Sequence, residues 1–178
     1  SFLFMRVAAP DFGPLALVEV RIVLGALFLL PFLWRFRARI DARLWLRFAI
    51  VGALNSAIPF TLFAWGAERA PAGVGAIANS LTVRFTALRG VLVYGDRIGA
   101  RRVAAIAGGF VGVVVLASGK TAGDNVAAAA IAGAIASLTY GFAAQFTRRW
   151  FAEVPPLAAV AGTLGCSALM VAPFAALA

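Results

Sequence analysis

The chain has 178 residues, of which 63% are hydrophobic and 13% are charged, and its formal net charge is +9. Soluble domains carry about a quarter charged residues, and one core of this size has too little interior for so much apolar surface. The composition therefore excludes an ordinary soluble domain. It also argues against nucleic-acid binding, because the basic residues occupy short gaps between apolar runs and form no basic face.

Seven apolar segments follow one another along the chain. Several uncharged runs approach the roughly 17–25 residues that a helix needs to cross a bilayer. Short links rich in turn formers, such as "RAPAG" and "GDRIG", separate the segments. The pattern predicts an all-α integral membrane protein, a polytopic helix bundle. The segments are 1–9, 14–34, 45–66, 72–94, 102–118, 126–147 and 156–178.

The basic residues alternate between the two sides of the predicted membrane. Every second link holds them in excess, whereas the intervening links hold only Arg69 and Lys120. Cytoplasmic loops carry the excess of Lys and Arg in membrane proteins, so the richer side is predicted to be cytoplasmic. Its basic residues are Arg35, Arg37, Arg39, Arg43, Arg47, Arg97, Arg101, Arg102, Arg148 and Arg149.

The two ends of the chain resemble each other. Residues 1–36 align with residues 143–178 without a gap, and the identical positions include Pro14 with Pro156. One period contains five predicted spans, an odd number, so the second copy must cross the membrane in the opposite direction. Inverted-topology repeats are typical of secondary transporters, whose substrate sites lie near the midplane between the repeats. We therefore predict an inverted repeat.

The residue types needed for catalysis and metal binding are scarce. The chain has no histidine and no cluster of carboxylates, and its single cysteine, Cys166, lies inside an apolar run. The commonest general base and histidine-based metal sites are therefore excluded, and no carboxylate cluster replaces them. We expect neither an enzyme nor a bound metal or cofactor.

Three stretches resemble one family of membrane transporters. "GVGAIANSLTVRFTALRGVLVYGDRIGARRVAAIAGGFVGVVVL" (73–116) resembles the fourth and fifth spans of an EamA-type repeat in the drug/metabolite transporter superfamily. "FLFMRVAAPDFGPLALVEVRIVLGALFLLPF" (2–32) is similar to the first two spans of that repeat. "AIAGAIASLTYGFAAQFTRRW" (130–150) resembles the opening helix of the second repeat.

The resemblance implies a ten-helix architecture of two inverted five-helix repeats, of which this chain holds about seven helices. Residues 1–118 would form the first repeat, without the start of its first helix. Residues 127–178 would form the first two helices of the second repeat.

Two arginines depart from the family pattern. Arg84 and Arg89 occupy positions that are apolar in the family, and Val83 stands where the family has proline. Arg84 falls near the predicted midplane, where an arginine costs at least about 2.5–3.5 kcal/mol unless it meets water or a partner. We expect Arg84 to face the bundle interior and Arg89 to reach the cytoplasmic interface. Whether these arginines are native or introduced stays open.

Polar side chains within the predicted spans indicate a substrate cavity. Arginines outnumber the single carboxylate there, Glu19, and this excess of positive charge suits an anionic or carboxylate substrate. The alternative is that these groups only bond neighbouring helices, which is worth about 0.6 kcal/mol each on average. The predicted substrate-binding residues are Arg21, Asn55, Trp65, Asn79, Tyr140 and, if it is native, Arg84.

These observations predict a secondary transporter of the bacterial inner membrane. It would export a small polar or amphipathic metabolite (amino-acid-like, carboxylate or drug) by alternating access. The alternative is a non-transporting membrane scaffold or assembly subunit. The expected partners are a small-molecule substrate and membrane lipid, and no nucleic acid. Proton coupling and a homodimer are left open.

Overall fold

The computed structural model of the protein describes two continuous stretches, residues 13–70 and 124–176. It also describes isolated positions between them, at 74, 75, 78, 79, 82, 104, 108, 111, 112 and 115. All of the isolated positions are helical. Within the described residues there are helices, turns and short connections and no strand, which confirms the predicted all-α class.

Five α-helices form the described bundle. A 3₁₀ turn, Arg37–Arg39, follows the first helix, and a π-helical turn, Ala53–Ala57, joins the second and third into one continuous helix. The α-helices are α1 Pro14–Phe36, α2 Ala42–Gly52, α3 Ile58–Arg69, α4 Asp124–Trp150 and α5 Pro156–Ala175.

Four stretches are long and apolar enough to cross a membrane, and they coincide with the second, third, sixth and seventh predicted segments. The first, fourth and fifth predicted segments lie outside the described residues, apart from the isolated helical positions. The division into repeats at 1–118 and 127–178 therefore stays a prediction. The four stretches are Leu15–Arg39, Ala42–Arg69, Val126–Trp150 and Pro156–Ala175.

Proline and aspartate define where three of the helices begin. Pro14 and Pro156 are the first residues of α1 and α5, a position where the missing N–H costs nothing and the fixed φ suits a helix. Asp41 precedes α2, and its carboxylate accepts a hydrogen bond of 2.7 Å from the Leu44 backbone N–H. This cap satisfies one of the backbone donors that a helix start leaves unpaired.

The π-helical turn follows from a proline inside a membrane-spanning helix. Pro59 has no N–H, so it cannot donate to the carbonyl of Asn55 four residues earlier, and its ring crowds that carbonyl. The helix widens there instead, and the Ile58 N–H donates to the Ala53 carbonyl, five residues back. The Ile58 N–H and the Ala53 carbonyl are thus paired, which matters in lipid because no water is present to bond them instead. Asn55, one of the predicted site residues, lies in this turn together with Ser56.

One end of the described bundle gathers arginines. The end of α1, the start of α2 and the end of α4 meet there, and we call this end the arginine-rich face. Its position agrees with the predicted alternation of charge between the two sides of the membrane. Its arginines are Arg35, Arg37, Arg39, Arg43, Arg47, Arg148 and Arg149.

An aromatic cluster packs beneath the arginine-rich face. Phe48 of α2 is fully buried, its ring centroid lies 5.1 Å from that of Phe151, and Trp45 meets it edge-on at 5.9 Å. Gly162 of α5 makes room for this ring, because a Cβ at that position would lie 2.6 Å from two of the Phe48 ring carbons. A small residue thus lets α5 approach α2 closely.

Helices α1 and α5 run antiparallel and pack along their lengths. Val18 and Val171 share one buried cluster, whereas Leu33 lies in another with Ala159. Their crossing is near the middle of both helices, because a Cβ on Gly25 would lie 3.2 Å from the Cδ1 atom of Leu164.

This arrangement is what an inverted repeat requires. A shift of 142 residues carries α1 onto α5, and it carries Gly25 and Ile22 onto Ser167 and Leu164. Gly25 and Ile22 lie one turn apart on α1, as do Ser167 and Leu164 on α5. A two-fold axis that exchanged the two helices would therefore pass close to the contact of Gly25 with Leu164. The antiparallel packing supports the repeat, which remains a prediction over the full five-helix unit.

We expect Gly52→Ala to destabilise the bundle, because a Cβ there would collide with the backbone oxygen of Thr163 and approach the Ser167 hydroxyl to 2.8 Å. Overpacking of this kind costs about 1–3 kcal/mol. The matched control is Gly165→Ala, since a Cβ at Gly165 has nothing within 4 Å. Thermal unfolding in detergent should show a lower midpoint for the first variant alone. Equal midpoints for the two variants would contradict the predicted close contact.

Candidate functional site

An arginine and an aromatic ring from two helices meet within the membrane-spanning length, where the Arg21 side chain is exposed at the surface of the described bundle. Arg21 of α1 holds its guanidinium carbon 4.6 Å from the ring centroid of Phe60, on α3. Arg21 lies seven residues after Pro14, roughly 10 Å along the helix axis, so it sits well inside the membrane-spanning length. A cation over an aromatic face is stabilised by the ring quadrupole, more strongly when water is excluded.

A phenol from a third helix completes the group. Tyr140 of α4 stacks on Phe63 of α3 with 6.3 Å between the ring centroids and 25° between the planes. Phe60 and Phe63 are three residues apart on α3, so Arg21 and Tyr140 contact neighbouring positions of the same helix. Two of the predicted site residues, from helices far apart in sequence, are therefore brought together.

Contacts around α4 also bring Asn79 to this region. The Ser137 hydroxyl donates a 2.7 Å hydrogen bond to the carbonyl of Ala78, and Gly133 packs on the same alanine. Asn79 follows Ala78 directly, so it lies beside α4 one turn from Tyr140. The Asn79 side chain accepts a long hydrogen bond, 3.5 Å, from the Thr82 hydroxyl.

The other predicted site residues are placed differently. Asn55 lies in the π-helical turn, exposed, five residues before Phe60. Trp65 is near the end of α3, where the Arg69 guanidinium lies 4.2 Å from its ring and donates to its backbone carbonyl at 3.0 Å. Arg84, like Arg89, lies outside the described residues, so its predicted interior position stays a prediction.

A carboxylate is enclosed near the same end of α1. The Oε2 atom of Glu19 is buried and has no hydrogen-bond donor among the described residues, and the side chain as a whole is half-buried. Arg6, the arginine of the first apolar segment, lies outside the described residues. An enclosed carboxylate oxygen without a donor is costly, and intramembrane carboxyl groups of this kind mark ion and proton pathways.

The arrangement has the chemistry of a binding site for an amphipathic anion. Arg21 offers donors for a carboxylate, the Tyr140 hydroxyl offers a further polar contact, and the two phenylalanines provide apolar surface. No group of three or more potential metal ligands occurs among the described residues.

Sequence reasoning missed Phe60 and Phe63. Both are phenylalanines in a chain that has fifteen, so residue type carries no signal. The usable signal is their position. Phe60 directly follows Pro59, which interrupts the regular helix, and Phe63 lies three residues later on the same helix face.

We expect Arg21→Cys, made in a Cys166→Ala background, to react with a membrane-impermeant methanethiosulfonate reagent, because a substrate cavity admits water. The control is Ile135→Cys. It belongs to an exposed apolar stripe of α4 formed with Ile131, Leu138 and Phe142, which predicts a lipid-facing position. A thiol in lipid should stay unmodified. Labelling of the Ile135 position alone would contradict the predicted cavity.

Comparison with known proteins identifies the family. A family model described as the EamA-like transporter family matches residues 1–118, more than half of the chain. No curated protein and no solved structure gives a significant match. The match agrees with the apolar helices of the structure and confirms the resemblance found in the sequence. The chain belongs to the EamA-like transporter family, a family of multi-pass membrane transporters within the drug/metabolite transporter superfamily.

Proposed function

We propose that this transporter exports a small amphipathic metabolite that carries a carboxylate or another anionic group. The observation that carries the proposal is the cluster of Arg21, Phe60, Phe63 and Tyr140, which we call the Arg21 group. Among the described residues Arg21 has an aromatic contact and a phenol nearby, but no acidic partner. The ion pair that the described residues do form is a different one, between Arg69 and Glu68 at 2.9 Å, at the far end of α3.

An arginine held inside a membrane span without a counter-ion needs compensation. A charge at this depth in a membrane is costly unless it meets water or a partner, and intramembrane charges therefore mark substrate and ion pathways. A substrate carboxylate can accept two parallel hydrogen bonds from a guanidinium, which is among the strongest pairings available to it. Arg21 is therefore assigned to the anionic end of the substrate.

The rings next to Arg21 favour a substrate with an apolar part. Phe60, Phe63 and Tyr140 present aromatic surface from two helices, and binding pockets for small molecules are lined mostly by such side chains. An anion without an apolar part would leave this surface unused. We assign Asn79 and Asn55 to the polar edges of the cavity, and Trp65 to its outer end.

Alternating access is supported by two features of the fold. Helices α1 and α5 cross as an inverted repeat requires, and the substrate groups stand on α1, α3 and α4 around that crossing. The π-helical turn before Phe60 provides a place where the helix can change register, as such turns often do at functional sites. The scaffold alternative is less favoured, because it predicts polar groups that bond only one another, unlike Arg21 and Glu19.

The proposed orientation of the transporter in its membrane rests on charge. The arginine-rich face is assigned to the cytoplasm of a bacterial cell, with the membrane being the inner one. A homodimer is compatible with the apolar surface that α1 leaves exposed, where Leu24 is 62%, Leu27 is 59% and Phe28 is 81% exposed.

We assign coupling to protons, carried by Glu19. The charged and titratable groups on the described helices that pack against α1 are few: α5 contributes Cys166, and α3 contributes Glu68 and Arg69, which pair with each other. Arg21 lies two residues from Glu19, on a different side of α1. Glu19 is thus the carboxyl group best placed to gain and lose a proton during the cycle.

The function is tested by flux in proteoliposomes loaded with apolar amino acids, hydroxy acids or tetraphenylphosphonium, with empty liposomes as the baseline. We expect carboxylates to be transported. Arg21→Gln should reduce that transport about 10- to 100-fold, the equivalent of a lost charge-assisted hydrogen bond. Arg21→Lys should retain part of it, and Arg69→Gln, at the paired outer arginine, should change little. Absence of carboxylate flux, or equal losses in Arg21→Gln and Arg69→Gln, would refute the assignment.

Proton coupling is tested in the same vesicles by imposing a pH gradient. We expect the gradient to drive accumulation of substrate by the unaltered protein. Glu19→Gln keeps the shape of the side chain but cannot carry a proton, so it should abolish the response to the gradient and keep exchange of substrate for substrate. A variant that still responds to the gradient would exclude Glu19 as the proton site.

A further inference from the structure

A groove opens at the arginine-rich face, between the end of α1 and the start of α5. It has a volume of about 300 Å³, at the lower limit of pockets that hold small molecules. Helix α1 contributes Phe32, Arg35 and Phe36, and the turn into α5 contributes Pro155, Pro156 and Leu157. The groove is remote from the Arg21 group, which lies toward the other end of α1.

The lining of the groove combines a single charge with apolar surface. Arg35 is exposed, and within the described part of the chain it makes no hydrogen bond and no ion pair. Its neighbours in the groove are aromatic, proline and aliphatic side chains, and the two prolines offer no backbone N–H. An occupant therefore has one anionic group, for Arg35, and an apolar part for the rest.

Two other arginines at this end contact tryptophan rings. The Arg37 guanidinium lies 4.1 Å from the ring centroid of Trp34, and Arg47 lies 5.8 Å from that of Trp150. Tryptophans are enriched where a membrane meets water, at the level of the lipid headgroups. The groove opens at the same level, and its rim residues Phe32 and Leu157 are 43% and 46% exposed.

We propose that this groove binds one anionic phospholipid of the leaflet at the arginine-rich face. The phosphate pairs with Arg35, and the first part of an acyl chain packs on Phe32 and Leu157. The remaining chain length stays in the bilayer, which fits a groove too small for a whole lipid. Basic pockets between helices on the cytoplasmic side are suited to anionic headgroups, and each nearby arginine adds to the attraction. The site does not depend on which metabolite is transported.

The proposal is tested by native mass spectrometry of the protein in detergent, titrated with phosphatidylglycerol or with phosphatidylcholine of the same chains. We expect the first phosphatidylglycerol to bind about fivefold more tightly than phosphatidylcholine, the difference that one arginine near a headgroup supplies. Arg35→Gln should remove this preference and Arg35→Lys should keep most of it. The matched control is Arg39→Gln, an exposed arginine of the same face outside the groove, which should leave the preference intact.

Two further measurements distinguish a bound lipid from a bound free anion and from nonspecific attraction of anions to the arginine-rich face. Inorganic phosphate and glycerophosphoglycerol at millimolar concentration should not displace the bound lipid, and Leu157→Ala should weaken lipid binding without changing the preference for the anionic headgroup. Circular dichroism confirms that each variant is folded. Displacement by free phosphate, or equal losses in Arg35→Gln and Arg39→Gln, would overturn the proposal.

Discussion

The close approach of α5 to α1 and α2 is the contact on which the described bundle depends. Lipid provides no hydrophobic force between helices, so they associate through packing of small residues and hydrogen bonds. Gly52 of α2 stands against the backbone of Thr163, and Gly162 of α5 makes room for Phe48. Because α5 packs on α2 in this way and also meets α1 where Leu164 contacts Gly25, it fixes where α1 presents Arg21 relative to the continuous helix that carries Phe60.

Much of the fold could be predicted because lipid allows so few structures. Long apolar runs must be helices, and proline at the start of a run predicts its first residue, as at Pro14. The predicted boundaries differ where a side chain extends the helix beyond its apolar run. Helix α2 begins at Ala42 rather than 45, because Asp41 caps it, and α3 continues to Arg69, which folds back onto the Trp65 carbonyl. Hydropathy carries no information about either contact.

The candidate site was accessible to sequence reasoning only in part. Arg21 and Tyr140 are conspicuous because polar groups are rare inside apolar spans, and the structure places both against neighbouring phenylalanines of α3. Phe60 is not conspicuous, since its role comes from the helix that places it rather than from its type. The lack of a donor to Glu19 Oε2 within the described helices is likewise a property of their packing, which no sequence pattern reports.

The π-helical turn also constrains how the family sequence can lengthen or shorten. Its wider ring accommodates one residue more than an α-helix would over the same rise, and each residue of an α-helix turns by about 100°. Loss of one residue between 53 and 57 would therefore restore ordinary α-helical geometry and leave Phe60 and Phe63 on the side of the helix that faces Arg21 and Tyr140. Loss of one residue within α2, by contrast, would rotate everything after it by that angle, and the two rings would leave that side. Alignments across this turn therefore carry more meaning in their gaps than in their identities.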